Sequence, residues 1–417
     1  MQRPKSFWIG LCLLNLCLIA LFGLLMRSKI LFPIPLLDYR NLLSAHSHFA
    51  FGGWAGLALL TLLVYDVLPA EKGQKKIYQT LLWGIEISSL GMAFTFPFWG
   101  YTAVSITFSS LYIVVTYVFG YVFWKDLQRQ HLHAAVKITG LGAIIALLLS
   151  AIGPAILSYI LLTNSTNSLL YRDAVYTFLH FQYNGFFTLA IFATLFSYWL
   201  KKQGSLPPAA NTFSVFLLLS LVPSLCLALL WHNLTILYVL SAIGCLCILM
   251  SVFYFIPLVR QSTNSSIFPQ STARLLWGAA AISFILKMVL TIGTIYPPLG
   301  NAVYGARPVI IGFLHLVFLG FVSFFILSNA IEEGFFNSNK KTITWPFYLF
   351  GLGVLVNEAF LMIQGLEILL KTNSPIYYWL LWIGAILLLL GSLAIAFAFY
   401  SNRSAHKKTA AKAAASL

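Results

Sequence analysis

The chain has 417 residues, of which 60% are hydrophobic and only 8% are charged. A soluble protein carries roughly 25% charged residues, and no soluble protein of this size hides so much apolar surface from water. The net charge of +15 does not indicate a nucleic-acid partner, because the basic residues stand in short stretches between apolar segments and form no basic domain. The composition therefore predicts an integral membrane protein surrounded by lipid.

Apolar segments of about 20 residues recur from one end of the chain to the other, and each is long enough for a transmembrane helix. No linker separates two domains. We predict an all-α, polytopic fold with a single transmembrane domain over residues 1–403 and a basic tail over residues 404–417. The twelve predicted spans are 7–27, 41–68, 77–98, 103–124, 135–162, 173–200, 211–231, 234–257, 272–295, 303–329, 345–369 and 377–400.

Lysine and arginine are distributed unevenly between the two sides of the predicted membrane. If the N-terminus is cytoplasmic, most basic residues also fall in cytoplasmic segments, as the positive-inside rule requires. The opposite side then holds only Arg27, Lys29, Arg40, Arg172, Arg307 and Lys371. This asymmetry predicts a multi-pass protein of the inner (cytoplasmic) membrane with both termini in the cytoplasm.

Five histidines fall within the predicted spans or at their ends: His46 and His48 in the second, His180 in the sixth, His232 at the end of the seventh and His315 in the tenth. Ionisable residues in hydrocarbon are costly, and most have a function. The second, sixth and tenth spans enter from the non-cytoplasmic side, and their histidines lie roughly 8 to 18 Å along each helix. The seventh span ends on that same side. All five histidines can therefore converge in the outer half of the membrane.

Neutral imidazole is the commonest protein ligand of haem iron and also suits copper. A histidine of the second span and His315 would clamp one haem, with b-type haem as the expected cofactor. His46 and His48 point about 200° apart on a helix, so only one of them can face a given site. The deeper position favours His48, but the spacing leaves the choice open.

Three arginines precede the histidine-bearing segments. Arg40, Arg172 and Arg307 stand 6, 8 and 8 residues before His46, His180 and His315. These spacings place each arginine about 9–12 Å further out along its helix. Arginine pairs well with carboxylates, so we predict that Arg40 and Arg307 bind the haem propionates. The alternative is that these side chains only extend to the membrane surface.

The arrangement of histidines in spans 2, 6, 7 and 10 of a twelve-span chain resembles the catalytic subunit (subunit I) of haem–copper oxidases. The stretches HSHFAFGGW and HLVFLGF also resemble NnrS proteins, which are haem- and copper-containing relatives. The resemblance covers roughly spans 2 to 10 as a pattern. It implies a low-spin haem between a span 2 histidine and His315, and a copper ligand at His180. His232 would match one member of the oxidases' histidine pair.

The chain departs from the oxidase pattern at several positions. Asn233 stands where the second histidine of that pair is expected, or Trp231 stands where the first is expected. The oxidases carry His-x-His in the tenth span, but here Phe313 and Val317 stand on either side of His315. The tyrosine near His180 is also displaced, to Tyr183 or Tyr176. The resemblance therefore implies one haem with an incomplete metal site at His180 and His232. The expected function is electron transfer or the binding of a diatomic gas such as nitric oxide or oxygen, with other membrane or electron-donor subunits as partners.

Other polar residues in the predicted spans are compatible with different functions. Glu86, Lys287, Glu358 and Glu367 lie in or near apolar spans, where they would form a proton path or simple interhelical pairs. A secondary transporter that uses the membrane histidines as a proton or metal path is the main alternative. However, the two halves of the chain show no matching pair of broken helices. A membrane anchor or sensor subunit with structural histidines is the third interpretation.

Overall fold

The computed structural model describes residues 3–263, 267–336, 341–372 and 374–415, and all regular structure in these residues is helical. The prediction of an all-helical membrane protein is confirmed. Between the long helices lie two short ones, Ala70–Gly73 and Pro297–Gly305. The long helices are α1 (Lys5–Leu31), α2 (Tyr39–Val67), α3 (Lys76–Trp99), α4 (Ala103–Gln128), α5 (Ala134–Thr163), α6 (168–203), α7 (Ala209–His232), α8 (Thr235–Thr263), α9 (Ser271–Gly293), α10 (Arg307–Glu332), α11 (Lys341–Leu369) and α12 (Ile376–Ala415).

Eleven of these helices are long and apolar enough to cross a membrane, and α6 is the one that is not. It covers the sixth predicted span, but His180, Gln182 and Asn184 make its central part less apolar than the other helices. The helices pack with their neighbours in the chain, and α12 returns to pack against α1. In α2, 94% of the most apolar stretch is buried, against 22% in α4. Helix α2 is therefore central, and α4 is peripheral.

The three long helices that carry His46, His180 and His315 share a distortion. Each contains a π-helical segment, Ala50–Gly56 in α2, His180–Phe187 in α6 and Leu316–Ser323 in α10. Phenylalanines of the three segments meet at the centre of the bundle, with ring centroids 4.7 to 5.7 Å apart for Phe51, Phe187 and Phe318. Such segments are rare and frequent at functional sites. The histidines thus lie where three widened helices converge.

A buried ion cluster joins three helices at the N-terminal end of the bundle, which is the end where α1 begins. Lys5 Nζ lies 2.6 Å from the carboxylate of Asp66 on α2 and 2.5 Å from that of Glu333, next to the end of α10. Lys201 Nζ donates a hydrogen bond to the Asp66 carbonyl at 2.9 Å. Because one ammonium serves two carboxylates, the cluster depends on Lys5.

Glu333 makes the stability of this end dependent on pH. Burial and the negative charge of Asp66 raise the pKa of Glu333 to about 7 from an ordinary value of 4.5, although Lys5 acts in the opposite direction. The folded chain therefore binds this proton more tightly than the unfolded chain. Its stabilising contribution is fully present below about 4.5 and is lost as the pH rises through about 7. We expect the melting temperature to fall over that interval, and Glu333→Gln to flatten the fall. An equally steep fall in the variant would contradict this.

Candidate functional site

A cavity of about 190 Å³ lies between α1, α2, α10, α11 and α12. It is somewhat larger than the roughly 150 Å³ apolar cavity that binds benzene in a well-studied protein. Most of its walls are apolar, with Phe51, Trp54 and Phe318 among them. The polar groups are few and include His46 on α2, His315 on α10 and Arg27 on α1. Apolar walls with a few directed polar groups are typical of a small-molecule or cofactor site.

A hydrogen bond fixes the ring orientation of His315. Its Nδ1 lies 2.8 Å from the carbonyl oxygen of Ile311, one turn earlier in α10. Because a carbonyl only accepts hydrogen bonds, Nδ1 carries the proton, and Nε2 keeps its lone pair. A hydrogen bond of this kind is the usual way in which proteins fix the tautomer and ring orientation of a histidine that binds a metal.

His46 faces the same cavity from α2. Its Nδ1 is buried and has no hydrogen-bond partner among the described residues. The ring lies against α1 at Gly23, where a Cβ atom would be 3.5 Å from Cε1. Buried polar atoms are rarely left without partners, since each costs about 1–3 kcal/mol. No described group forms a hydrogen bond with Nδ1, and the polar contact that the His46 ring makes with the backbone is with Ile19 of α1.

His48 lies on the other side of α2 and does not line the cavity. Its Nδ1 donates to the Ser44 carbonyl at 2.8 Å. Its ring packs against Phe96 at 4.7 Å and Tyr101 at 6.0 Å. Of the two histidines between which the sequence left the choice open, His46 therefore lines the cavity, because depth along the helix does not determine which face of the helix turns inward.

Arg27 is the arginine that lines the cavity, and the sequence analysis assigned it no role. It lies one turn beyond Gly23 on α1, toward the outer end of the cavity. Within the described part of the chain it forms no ion pair. The titratable groups that interact with it electrostatically are Tyr39, Tyr378, His46 and His315. A guanidinium without a carboxylate partner at the edge of an apolar cavity suits an anionic ligand group.

The two arginines that the sequence predicted for the propionates lie elsewhere. Arg40 is exposed and does not line the cavity. Arg307 is exposed as well, with its guanidinium carbon 5.4 Å from the ring centroid of Tyr39, which is a wall residue of the cavity. Spacing along one helix describes that helix alone and could not show that an arginine of α1 lines the cavity.

His180 is fully engaged by protein groups. Its Nε2 lies 2.8 Å from the carbonyl oxygen of Leu221 on α7, so this nitrogen carries the proton. Its Nδ1 accepts a hydrogen bond from the Asn184 amide at 3.1 Å. No lone pair of His180 is left for a metal. It borders a second, smaller cavity of about 60 Å³ that also contacts Tyr183 and Thr291.

His232 is not brought to His180. Its Nε2 lies 2.9 Å from Asp173 Oδ2, and Asp173 precedes His180 by seven residues, or about 10 Å along α6. Asn233 follows with a left-handed backbone (φ 53°), a conformation that asparagine tolerates well. Among the described residues no group of three or more histidine, cysteine, aspartate or glutamate side chains is placed to hold a metal ion. Both histidines are hydrogen-bonded to protein groups, and the metal site at His180 and His232 stays a prediction.

Substitutions at these two histidines separate a structural role from a metal site. We expect His180→Ala to destabilise the protein by about 1–3 kcal/mol, because Leu221 and Asn184 lose their partner. His232→Ala should cost less than about 1 kcal/mol, since its pair with Asp173 is partly exposed. Metal analysis should give the same copper content for both variants as for the unsubstituted protein. A stoichiometric loss of copper in His180→Ala would show that this site holds metal.

No model of a known protein family matches this chain, and a search of curated protein sequences found no match.

Proposed function

We propose that this protein binds one haem in the cavity between α1, α2 and α10, where His46 and His315 would hold it. The observation that carries the proposal is that two histidines on different helices line one cavity. One has its Nε2 lone pair directed by a hydrogen bond at Nδ1, and the other has a buried nitrogen without a partner. Two neutral imidazoles are a common ligand set for haem iron.

The side chains that line the rest of the cavity have the chemical character that a porphyrin requires, but the cavity is small for one. The rings of Phe51, Phe318 and Trp54 provide apolar contact, and Arg27 provides a cation for a propionate. The cavity is smaller than the roughly 300–1,000 Å³ of typical ligand sites. Entry of a porphyrin therefore requires wall side chains to change rotamer, as the unbranched chain of Met26 does readily.

With histidine on both sides, the function that this geometry supports best is electron transfer. A haem held in this way supplies a one-electron redox couple in an apolar surrounding. The protein's part is to fix the two rings, to exclude water with the phenylalanine walls and to balance the propionate charge with Arg27. We further propose a twelve-span bundle of the haem–copper oxidase type in an inner membrane, with cytoplasmic termini and an electron-donor partner.

The test is an optical spectrum of the purified protein, oxidised and dithionite-reduced, after expression with a haem supply. A Soret band with sharp α and β bands after reduction would support bis-histidine haem, and a pyridine haemochrome assay would define its type. A colourless protein would refute the proposal and favour a transporter.

Arg27 offers a prediction with a matched control. We expect Arg27→Leu to weaken haem binding by roughly 10- to 100-fold, because a charge-assisted hydrogen bond contributes about 1.5–3 kcal/mol. Loss of the positive charge should also lower the midpoint potential, since a cation near the haem favours the reduced state. Arg40→Leu, at an exposed arginine, should change neither quantity. Haem titration and redox potentiometry check both, and equal effects of the two substitutions would remove Arg27 from the site.

A further inference from the structure

Helix α11 carries a carboxyl group at its centre, at the periphery of the bundle. Glu358 lies within one helix turn of the midpoint of the apolar stretch Ile343–Ile368, and its side chain is half-buried. Its Oε1 accepts a hydrogen bond of 3.0 Å from the Asn357 amide, and Oε2 forms no hydrogen bond with any residue that the structure describes. A carboxyl group at such a depth in lipid is costly and is normally paired. Glu358 therefore has one oxygen for a partner outside the described part of the chain.

This carboxyl group belongs to a face of α11 that the neighbouring helices leave open. Helix α12 covers one side of α11 at Gly353, and α10 covers another at Leu361. On the open face, an added Cβ atom at Gly351 would meet no described atom within 4 Å. The three large apolar side chains of this face are 47% to 67% exposed. The α11 seam consists of Tyr348, Gly351, Leu355, Glu358 and Met362.

The spacing within the α11 seam is that of two helices packed side by side. Its members follow one another at intervals of 3, 4, 3 and 4 residues, which is the repeat of a left-handed helix pair and of most contacts between membrane helices. Gly351 stands two turns before Glu358, and a small residue at such a position lets a second helix approach closely. Apolar side chains alone would suit lipid equally well. An open glycine and a carboxyl group in the same repeat favour a protein helix.

We propose that the α11 seam packs against the α11 seam of a second copy of this protein, with the two Glu358 side chains paired across a two-fold axis. A second copy in the same membrane has the same orientation, so it brings its own Glu358 to the same depth. A neutral carboxyl group donates one hydrogen bond and accepts others, so the two copies satisfy each other. A two-fold interface requires a self-complementary patch of this kind. The proposal does not depend on haem binding.

A second copy fits the α11 seam better than lipid or an unrelated helix does. Lipid tails offer neither a donor nor an acceptor, so they leave the outer oxygen of Glu358 unsatisfied. A helix of another subunit would need a polar side chain of its own at this depth, whereas symmetry supplies one without a further requirement. Asn357, the hydrogen-bond partner of Glu358, also lines the cavity. The interface would therefore lie one hydrogen bond away from the cavity wall of each copy.

The oligomeric state of the full-length protein in a bilayer tests the proposal. We expect a dimer when the protein, with one fluorophore per chain, is reconstituted at low density in phospholipid vesicles and counted by single-molecule photobleaching. Glu358→Leu should weaken self-association by roughly 10- to 100-fold, because it removes both hydrogen bonds of the pair. Glu358→Gln should keep the dimer, since an amide also donates and accepts.

Gly351→Leu tests the close approach of the two helices, and Gly278→Leu of α9 is its matched control. An added Cβ atom at either glycine meets no described atom within 4 Å, so neither substitution should disturb the monomer. We expect only Gly351→Leu to reduce the dimer fraction, because Gly278 lies outside the α11 seam. If Glu358→Leu does not fold, this pair of variants decides the question.

Cysteine cross-linking in membranes identifies the face that the dimer uses. Met362→Cys should cross-link between copies faster than Ile363→Cys, although the native side chains are 47% and 43% exposed, because the two positions point about 100° apart on the helix. The unsubstituted protein gives the background of the native cysteines. A monomer in the bilayer would overturn the proposal and leave the α11 seam to lipid or another subunit. A dimer that persists in Glu358→Leu and Gly351→Leu, or that cross-links equally at both cysteines, would also overturn it.

Discussion

Replacement of His46 by alanine is expected to abolish stoichiometric haem binding, while replacement of His48 by alanine leaves it intact. His46 lines the cavity with His315, and His48 packs against Phe96 and Tyr101 on the other side of α2. Loss of an axial ligand should weaken haem binding by more than the roughly 10- to 100-fold that follows loss of a ligand's hydrogen-bond partner. The haem-to-protein ratio, measured by pyridine haemochrome assay, gives the result directly.

His315→Ala should behave as His46→Ala does, because both side chains line the cavity and would hold the same group. The pair of His46 and His48 is an unusually close control, since the two residues share one helix turn, one residue type and nearly one depth in the membrane. Retention of haem in His46→Ala together with its loss in His48→Ala would reverse the assignment. Retention in both would exclude α2 as the source of a ligand.

A Lys5→Met substitution should have the largest effect on stability. Its ammonium pairs with Asp66 and Glu333, and the side chains of all three residues are at most 20% exposed. Removal of one partner from a buried ion pair leaves uncompensated charge and typically costs about 3–5 kcal/mol. Because the cluster joins α1, α2 and α10, which also wall the cavity, we expect haem affinity to fall as well. Thermal unfolding in detergent and a haem titration measure the two effects.

Lys76→Met is the matched control for this substitution. Lys76 is an exposed lysine at the beginning of α3, near the same end of the bundle. Surface charges of this kind contribute about 0–1 kcal/mol. Equal melting temperatures for the two variants would mean that the buried cluster does not hold the N-terminal end together. A Lys5→Met protein that is destabilised but binds haem normally would separate that end from the cavity.

Much of the architecture is determined by the sequence alone. Long apolar segments can bury their backbone polar groups in lipid only as helices, so composition and segment length predict the class of fold without any tertiary information. The bounds of the helices follow for the same reason, as the agreement of span 103–124 with Ala103–Gln128 illustrates. Helix α6 is where apolar composition alone is a weak predictor of a span, because polar residues in its centre make it less apolar than the other long helices. The depth of His46 and His315 was also accessible, since it depends only on the rise of a helix.

The tertiary structure decided which side chains meet. The choice of His46 over His48 depends on the rotation of α2 about its axis, which packing against its neighbours determines. Arg27 lines the cavity because α1 lies beside α2. The spacing of residues within one segment does not determine how two helices lie next to each other. The engagement of His180 by Leu221 and Asn184 also arises from contacts across the bundle and from a widened helix. Sequence periodicity describes each helix by itself, and a site built between helices depends on their mutual rotation and distance.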